Sequence, residues 1–388
     1  MRSVSLVGNN DVTLLQSGAE FFPALIAAID AAQSQVYLET YIFAADETGE
    51  EVKAALKRAA SRGVNVNVIT DWLGTGHAQS MRLNQEFRAE RINHRIFNAW
   101  FRRGMTRTHR KICVVDRSVA LLGGLNINHD LRSDDDYHLL LPAPRWDMAV
   151  QVRGPLVEHI HLEVEFQWML LGGFHLRYRF EKFLDKWQRM QPVSKEPMLA
   201  GLVVRDNLRN RRTIERAYLK ALGTARDSAM LATPYFAPGR KLRIALANAA
   251  QRGVDVTLLI GVGQFRIQDA VAHSFYPKLL KSGVKVVEYR KTQLHGKVAV
   301  VDEDWSTVGS SNWDGLSLLV NQEANIVVQD RGFTQLLREH IRRAVADGVP
   351  VRLEDYANKP WYKRMLYGAA YVFYRTVLRA IASGRYDE

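Results

Sequence analysis

Two nine-residue stretches hold the side chains best placed for chemistry. Residues 294–302 read Leu294-His295-Gly296-Lys297-Val298-Ala299-Val300-Val301-Asp302, and residues 108–116 read Thr108-His109-Arg110-Lys111-Ile112-Cys113-Val114-Val115-Asp116. Both are H-x-K-x4-D. Seven residues past each aspartate comes a glycine-asparagine phrase, Gly123-Gly124-Leu125-Asn126 in one copy and Gly309-Ser310-Ser311-Asn312 in the other. The apolar run between lysine and aspartate is that of a strand buried on both faces, and a period of two puts each histidine beside its lysine.

Two such half-sites, brought together, suit a phosphate diester. Lys111 and Lys297 supply fixed positive charge, while Asn126, Asn312 and Ser310 supply donors to the non-bridging oxygens of a pentacoordinate transition state. One of His109 and His295 can attack phosphorus while the other protonates the departing alcohol, with roles reversed for the incoming acceptor. A carboxylate on the far nitrogen of each imidazole would fix its tautomer, and Asp147 and Glu323, each opening a strand, are placed in sequence to do so. Asp116 and Asp302 complete the catalytic motif, but parity puts them on the opposite strand face, which reads as a turn or salt-bridge position. No metal is called for, and His159 and His161, two apart on an expected helix, do not share a face.

The elements that must position these residues repeat. Strand and helix signals alternate from residue 12 to 70: a helix over 21–32, a strand over 36–43, an amphipathic helix over 50–60 and a strand over 64–70. A helix over 78–91 and a strand over 93–97 lead to the first motif. The second half repeats the plan with helices over 213–225 and 241–251 and strands over 230–234 and 254–260. Ser61-Arg62-Gly63-Val64 and Gln251-Arg252-Gly253-Val254 occupy matching places. The reading is an internal duplication of two α/β domains.

A chain of 388 residues exceeds what one core serves, which also favours two domains. Their expected bounds are 1–190 and 191–350, joined through a linker over 188–201 that Pro192 and Pro197 interrupt, with 351–388 as an appended segment. The formal charge of +12 favours an anionic partner, and the single cysteine, Cys113, excludes an intrachain disulfide. Nothing in the first sixteen residues resembles a secretory signal, and no run of apolar residues is long enough to span a bilayer.

Residues 361–381 place Leu366, Ala370, Phe373, Val377 and Ile381 on one helical face, with Lys363, Arg364, Arg375 and Arg379 elsewhere. Such a helix suits a membrane surface better than a membrane span. Aromatics and cations also interleave from Trp168 to Trp187, which fits either a lipid boundary or an ordinary packed helix.

The duplicated motif with its G-G/S-x-N phrase resembles the phospholipase D superfamily, and the match over about 10–345 is similar to bacterial cardiolipin synthases of the short B-type branch. Leu38-Glu39-Thr40, Arg153-Gly154-Pro155, Tyr289-Arg290 and Glu323 with Asn325 also carry the resemblance. It implies two α/β/α sandwich domains related by a pseudo-twofold axis, with the active site at their interface. It implies transfer of a phosphatidyl group from one phosphatidylglycerol to another, with His109 as nucleophile, His295 as general acid and no cofactor. The implied partners are phospholipid substrates and an anionic membrane, without nucleic acid, and the implied place is the cytoplasmic face of the bacterial cell membrane. Glu39, Tyr41 and Tyr235 end strands expected to face the cleft and are candidates for the headgroup. Hydrolysis to phosphatidic acid and nuclease action are the competing readings. The first copy departs from the common pattern by carrying Gly124 where serine is usual.

Overall fold

The structure, a computed structural model, describes residues 4–102, 104–133, 139–172, 198–207, 209–357 and 359–381. The first half contributes strands β1 (Asp11–Gln16), β2 (Gln35–Thr40), β3 (Asn65–Asp71), β4 (Asn93–Phe97), β5 (Ile112–Val115), β6 (Val119–Gly123) and β7 (Met148–Arg153). The second contributes β8 (Leu199–Arg205), β9 (Ser228–Thr233), β10 (Phe236–Ala237), β11 (Asp255–Gly261), β12 (Lys285–Tyr289), β13 (Lys297–Val301), β14 (Trp305–Gly309), β15 (Trp313–Asp314), β16 (Glu323–Gln329) and β17 (Val349–Pro350). The first sheet runs β1-β7-β6-β5-β2-β3-β4 and the second β8-β16-β14-β13-β9-β11-β12-β17, so the two orders coincide strand for strand until β17.

In each sheet three parallel strands, β2-β3-β4 or β9-β11-β12, follow the βαβ rhythm. The motif strands β5 and β13 add antiparallel beside them. The helices are α1 (Ser17–Asp30), α2 (Glu47–Ser61), α3 (His77–Ala89) and α4 (Leu156–Leu171), then α5 (Thr213–Thr224), α6 (Arg240–Gln251), α7 (Arg266–Lys281), α8 (Gly315–Leu319), α9 (Arg331–Ala346), α10 (Leu353–Ala357) and α11 (Trp361–Ile381). The repeated Arg-Gly phrase now has a cause. Gly63 ends α2 at φ +87° and Gly253 ends α6 at φ +94°, a left-handed conformation that costs a side chain about 1 kcal/mol.

Outer cores lie beyond each sheet, but the largest apolar cluster joins the halves. Leu122 and Val150 of the first sheet share it with Val298 and Ile326 of the second, together with Leu156 and Ile160 of α4 and Leu337 and Ile341 of α9. Helix α4 also reaches β8, and α9 reaches β1. The halves therefore close over a shared core, and burial there holds their relative orientation. The expected linker and the 190/191 boundary fall, up to residue 197, outside the described residues. So does the aromatic-basic stretch beyond Gly172; at its start, the Arg95 guanidinium stacks 3.9 Å from the Trp168 ring.

Helix α11 spans the expected residues but docks by a different face. Tyr367, Ala370, Tyr371 and Tyr374 pack on the outer core of the second half, and Leu378 is buried against Gly315. The Tyr374 hydroxyl accepts the Gly315 N–H at 2.9 Å, and Tyr371 meets Phe275 of α7 edge-on at 5.1 Å. Trp361, Met365, Leu366, Val372 and Phe373 point outward and are exposed. Among the described residues, no helix is long and apolar enough to cross a membrane.

Candidate active site

The two motif copies meet across the shared core, and backbone pairing fixes how. Trp146, just before Asp147, pairs with Leu294, just before His295; Gln322, just before Glu323, pairs with Thr108, just before His109. The amide of His295 donates to Trp146 O at 2.9 Å, and that of His109 to Gln322 O at 2.9 Å. Each histidine is thus stitched to the opposite half, one residue from that half's carboxylate.

The carboxylates are exchanged accordingly. Asp147 Oδ2 lies 2.6 Å from His295 Nδ1, and Glu323 Oε2 lies 3.1 Å from His109 Nδ1. His109 Nδ1 also lies 3.2 Å from the Ser310 carbonyl. All four side chains are buried. With Nδ1 of His109 engaged, Nε2 of that ring is the nitrogen left for chemistry. Burial pulls His109 down to about 4, against the opposing pull of Glu323 and with help from the Lys111 charge, so its imidazole is neutral at pH 7. Burial pushes the Asp147 carboxyl up, but the facing His295 and Lys297 charges outweigh it and hold it below the usual range.

His109 and His295 line one cavity of about 300 Å³, together with Asn126, Asn312, Tyr41 and Tyr235. Tyr41 meets the His109 ring edge-on at 4.9 Å. Lys111 and Lys297 lie buried beneath; Lys111 Nζ donates to the His109 carbonyl at 2.8 Å, and Lys297 Nζ donates to the His295 carbonyl. Two buried cations beside the paired rings make a field suited to an anion.

Four residues of the expected site do not line the cavity. Asp116 and Asp302 sit at the far ends of β5 and β13, where they cap backbone. Asp116 accepts from the amides of Gln33, Ser34 and Gln35, and Asp302 from those of Arg226, Asp227 and Ser228. This is the strand-end position that parity implied for both. Ser310 does not face the cavity as a phosphate contact: its hydroxyl donates to Glu323 at 2.5 Å and accepts the Ala324 N–H at 3.1 Å. Glu39 is 1% exposed, accepting from the Thr108 hydroxyl with the Arg110 charge nearby.

The Gly124 departure is explained by the same geometry. A Cβ on Gly124 would lie 2.1 Å from Asp147 Oδ1. The short aspartate has its carboxylate close to the backbone and needs glycine there; in the other copy the longer glutamate leaves room for Ser310 and takes its hydroxyl. Gly-Asp and Ser-Glu are two solutions to one placement.

Other cavity residues escaped the sequence reading, including Arg107, Leu73, Phe265, Asp314, Ser317 and Asn321. Their one signal is position: Arg107 precedes His109 by two, Asn321 precedes Glu323 by two, and Asp314 follows Asn312 by two. Among the described residues, no cluster of three or more His, Cys, Asp or Glu could hold a metal ion.

Paired α/β sheets that bring two H-x-K half-sites onto one cavity define a protein of the phospholipase D type. The likeness to the crystal structure of phosphatidylserine synthase from Haemophilus influenzae Rd KW20 extends over 99% of this chain and 97% of that one, with TM-score 0.71 at 15% identity, a likeness of fold. The family profile described as "Cardiolipin synthase, PLD-like domain" matches residues 25–146 and 218–345, and the chain belongs to that family. It is 38% identical to cardiolipin synthase B of Escherichia coli (strain K12) over 87% of this chain and 81% of that protein. It is 27% identical to the cardiolipin synthase of Clostridium perfringens (strain SM101 / Type A) over 92% and 75%.

Proposed function

We propose that this protein is a phosphatidyltransferase that makes cardiolipin and glycerol from two molecules of phosphatidylglycerol. The observation that carries the reading is the exchange of carboxylates, each holding a histidine of the other half over one cavity. In the first step neutral His109 attacks phosphorus through Nε2. The bond from phosphorus to the glycerol oxygen breaks, and His295, protonated against Asp147, gives its proton to that oxygen. In the second step the free hydroxyl of another phosphatidylglycerol gives its proton to His295 and attacks, breaking the phosphorus–nitrogen bond. The Asn126 and Asn312 amides line the space for the non-bridging oxygens, and the buried lysines supply charge from below.

Tyr235 packs 5.6 Å from Phe265 at the cavity wall, and Leu73 and Phe265, each 40% exposed, give its rim an apolar character. The outward face of α11 carries Trp361, Met365, Leu366 and Phe373 with exposed Lys363 and Arg364. That face lies in the headgroup region of an anionic bilayer, each cation near it adding about 1 kcal/mol, and makes the protein peripheral on the cytoplasmic side of the cell membrane.

The test is product analysis with the purified chain on phosphatidylglycerol vesicles. Cardiolipin and glycerol in equal amounts are expected. Phosphatidic acid as the main product would make the protein a lipid hydrolase instead.

A further inference from the structure

The duplication places three pairs of positions around the histidines at equal offsets: two before each histidine, two after each motif asparagine and two before each orienting carboxylate. On one side of the pseudo-twofold relation these are Arg107, Asp314 and Asn321; on the other they are Gln293, Asn128 and Arg145. In the second set Asn128 and Arg145 close on each other. The Arg145 guanidinium, buried, donates to both the backbone carbonyl and Oδ1 of Asn128, the latter at 2.8 Å, so that side is filled by the protein's own hydrogen bonds.

The first set is open. Arg107, Asp314 and Asn321 all line the active cavity, with Ser317 and Leu316 beside them. The backbone of Asn321 is held on both sides, its N–H on Leu316 O at 2.8 Å and its carbonyl by the Arg205 guanidinium. Its side-chain carbonyl, in a residue 5% exposed, has no partner among the described residues. A buried acceptor left unmade is a desolvation penalty that a donor on the substrate can remove. Asp314 adds carboxylate acceptor capacity, one oxygen being engaged with the Ser317 N–H at 2.7 Å. Arg107 adds a guanidinium, steadied near the Tyr41 hydroxyl at 3.4 Å.

We propose that Arg107, Asp314 and Asn321 form the subsite for the vicinal hydroxyls of the glycerol headgroup. This deepens the transferase reading and rests on it. Two adjacent hydroxyls offer two O–H donors to Asp314 and Asn321 and two oxygens to Arg107, so every group is matched. A simple alkanol lacks the second hydroxyl, and an ethanolamine headgroup would bring a cation toward Arg107. By reversibility the same subsite holds the glycerol that departs and free glycerol when it enters as the acceptor. The closed side offers no equivalent, so the substrate lies across the two histidines in one direction only.

The experiment uses the full chain on mixed micelles of phosphatidylglycerol, with labelled glycerol and 1-propanol competing as acceptors. The readout is the ratio of labelled phosphatidylglycerol to phosphatidylpropanol. The wild-type protein should prefer glycerol, and Asn321→Ala should lower the ratio at least tenfold. Asp314→Asn, which keeps an acceptor for the Ser317 N–H and so preserves the turn, should lower it similarly. An unchanged ratio in the folded variants, with both products falling together, would overturn the subsite. A wild-type protein that transfers to neither alcohol and releases only phosphatidic acid would instead overturn the transferase reading beneath it.

Discussion

Asparagine in place of Asp147 removes one charge from the site and almost none of its volume. Asp147 and His295 are both buried and 2.6 Å apart, so the aspartate both orients the ring and stabilises its protonated form. A hydrogen bond to a charged group is worth about 1.5–3 kcal/mol, and the Coulomb attraction of unit charges about 4 Å apart at an effective dielectric near 20 is about 4 kcal/mol. The loss therefore lies between about 1.5 and 4 kcal/mol, or roughly ten- to thousand-fold in kcat. Glu323→Gln should cost less, because its contact with His109 is longer, at 3.1 Å, and the Ser310 carbonyl shares the same nitrogen. The assay is cardiolipin formation from phosphatidylglycerol vesicles at saturating lipid, with circular dichroism to confirm folding. A folded Asp147→Asn protein with kcat within threefold of wild type would refute the reasoning. So would a larger loss in Glu323→Gln. The depressed carboxyl also fixes a sign: Asp147 stabilises the fold above its unfolded pKa, and that contribution disappears as pH falls through the folded value.

Burial lowers His94 and His109 each to about 4, so between pH 6.5 and 4 the unfolded chain binds protons that the native state refuses. Stability should fall as pH drops through that window, by about 3 kcal/mol per histidine at its lower end, and equal urea midpoints at pH 7 and 4.5 would contradict this. Asp116→Ala, which strips the acceptor from three amides at a strand end, should lower stability by about 2–3 kcal/mol in urea titrations while the folded protein keeps kcat within a few-fold. Gly124→Ser should lower turnover at least tenfold by displacing Asp147, and Gly124→Ser with Asp147→Glu should recover part of it, since the pair then copies the other half. Leu366→Asp with Phe373→Asp should weaken vesicle sedimentation at least tenfold and spare hydrolysis of a soluble diester, as burial of such side chains is worth about 1.5–3 kcal/mol each.

The chemistry was legible because it is written as spacing. Histidine, lysine and asparagine recur at fixed offsets, and strand parity alone separates Asp116 and Asp302 from the reacting face. What spacing leaves out is which half each group serves. Asp147 and Glu323 each open the strand that follows their own motif, yet each serves the other's histidine, a consequence of sheet-to-sheet pairing at Trp146 and Gln322. Glu39 and Ser310 were misplaced for a related reason: alternation tells that a side chain changes face, not which face is the cavity. Helix α7 stands outside the expected elements; Pro277 falls within it, and buried Val271, Phe275 and Leu279 hold it in place. Helix α11 has two apolar sides, and its docked face is the one whose tyrosines reach α7 and Gly315.

Duplication supplies the site with paired chemistry but gives no direction to it, and transfer between two like lipids needs direction. Each departure from symmetry around the cavity provides some. One histidine has its carboxylate at 2.6 Å and the other at 3.1 Å, with a backbone carbonyl sharing the second ring nitrogen. A closer counter-charge favours the protonated ring of an acid, and a buried ring pulled down to about 4 favours the neutral form of a nucleophile. Beyond the rings, Arg145 fills one side while Arg107, Asp314 and Asn321 leave the other open. The scaffold is therefore symmetric where charge on phosphorus must be stabilised and asymmetric where proton donor must differ from nucleophile.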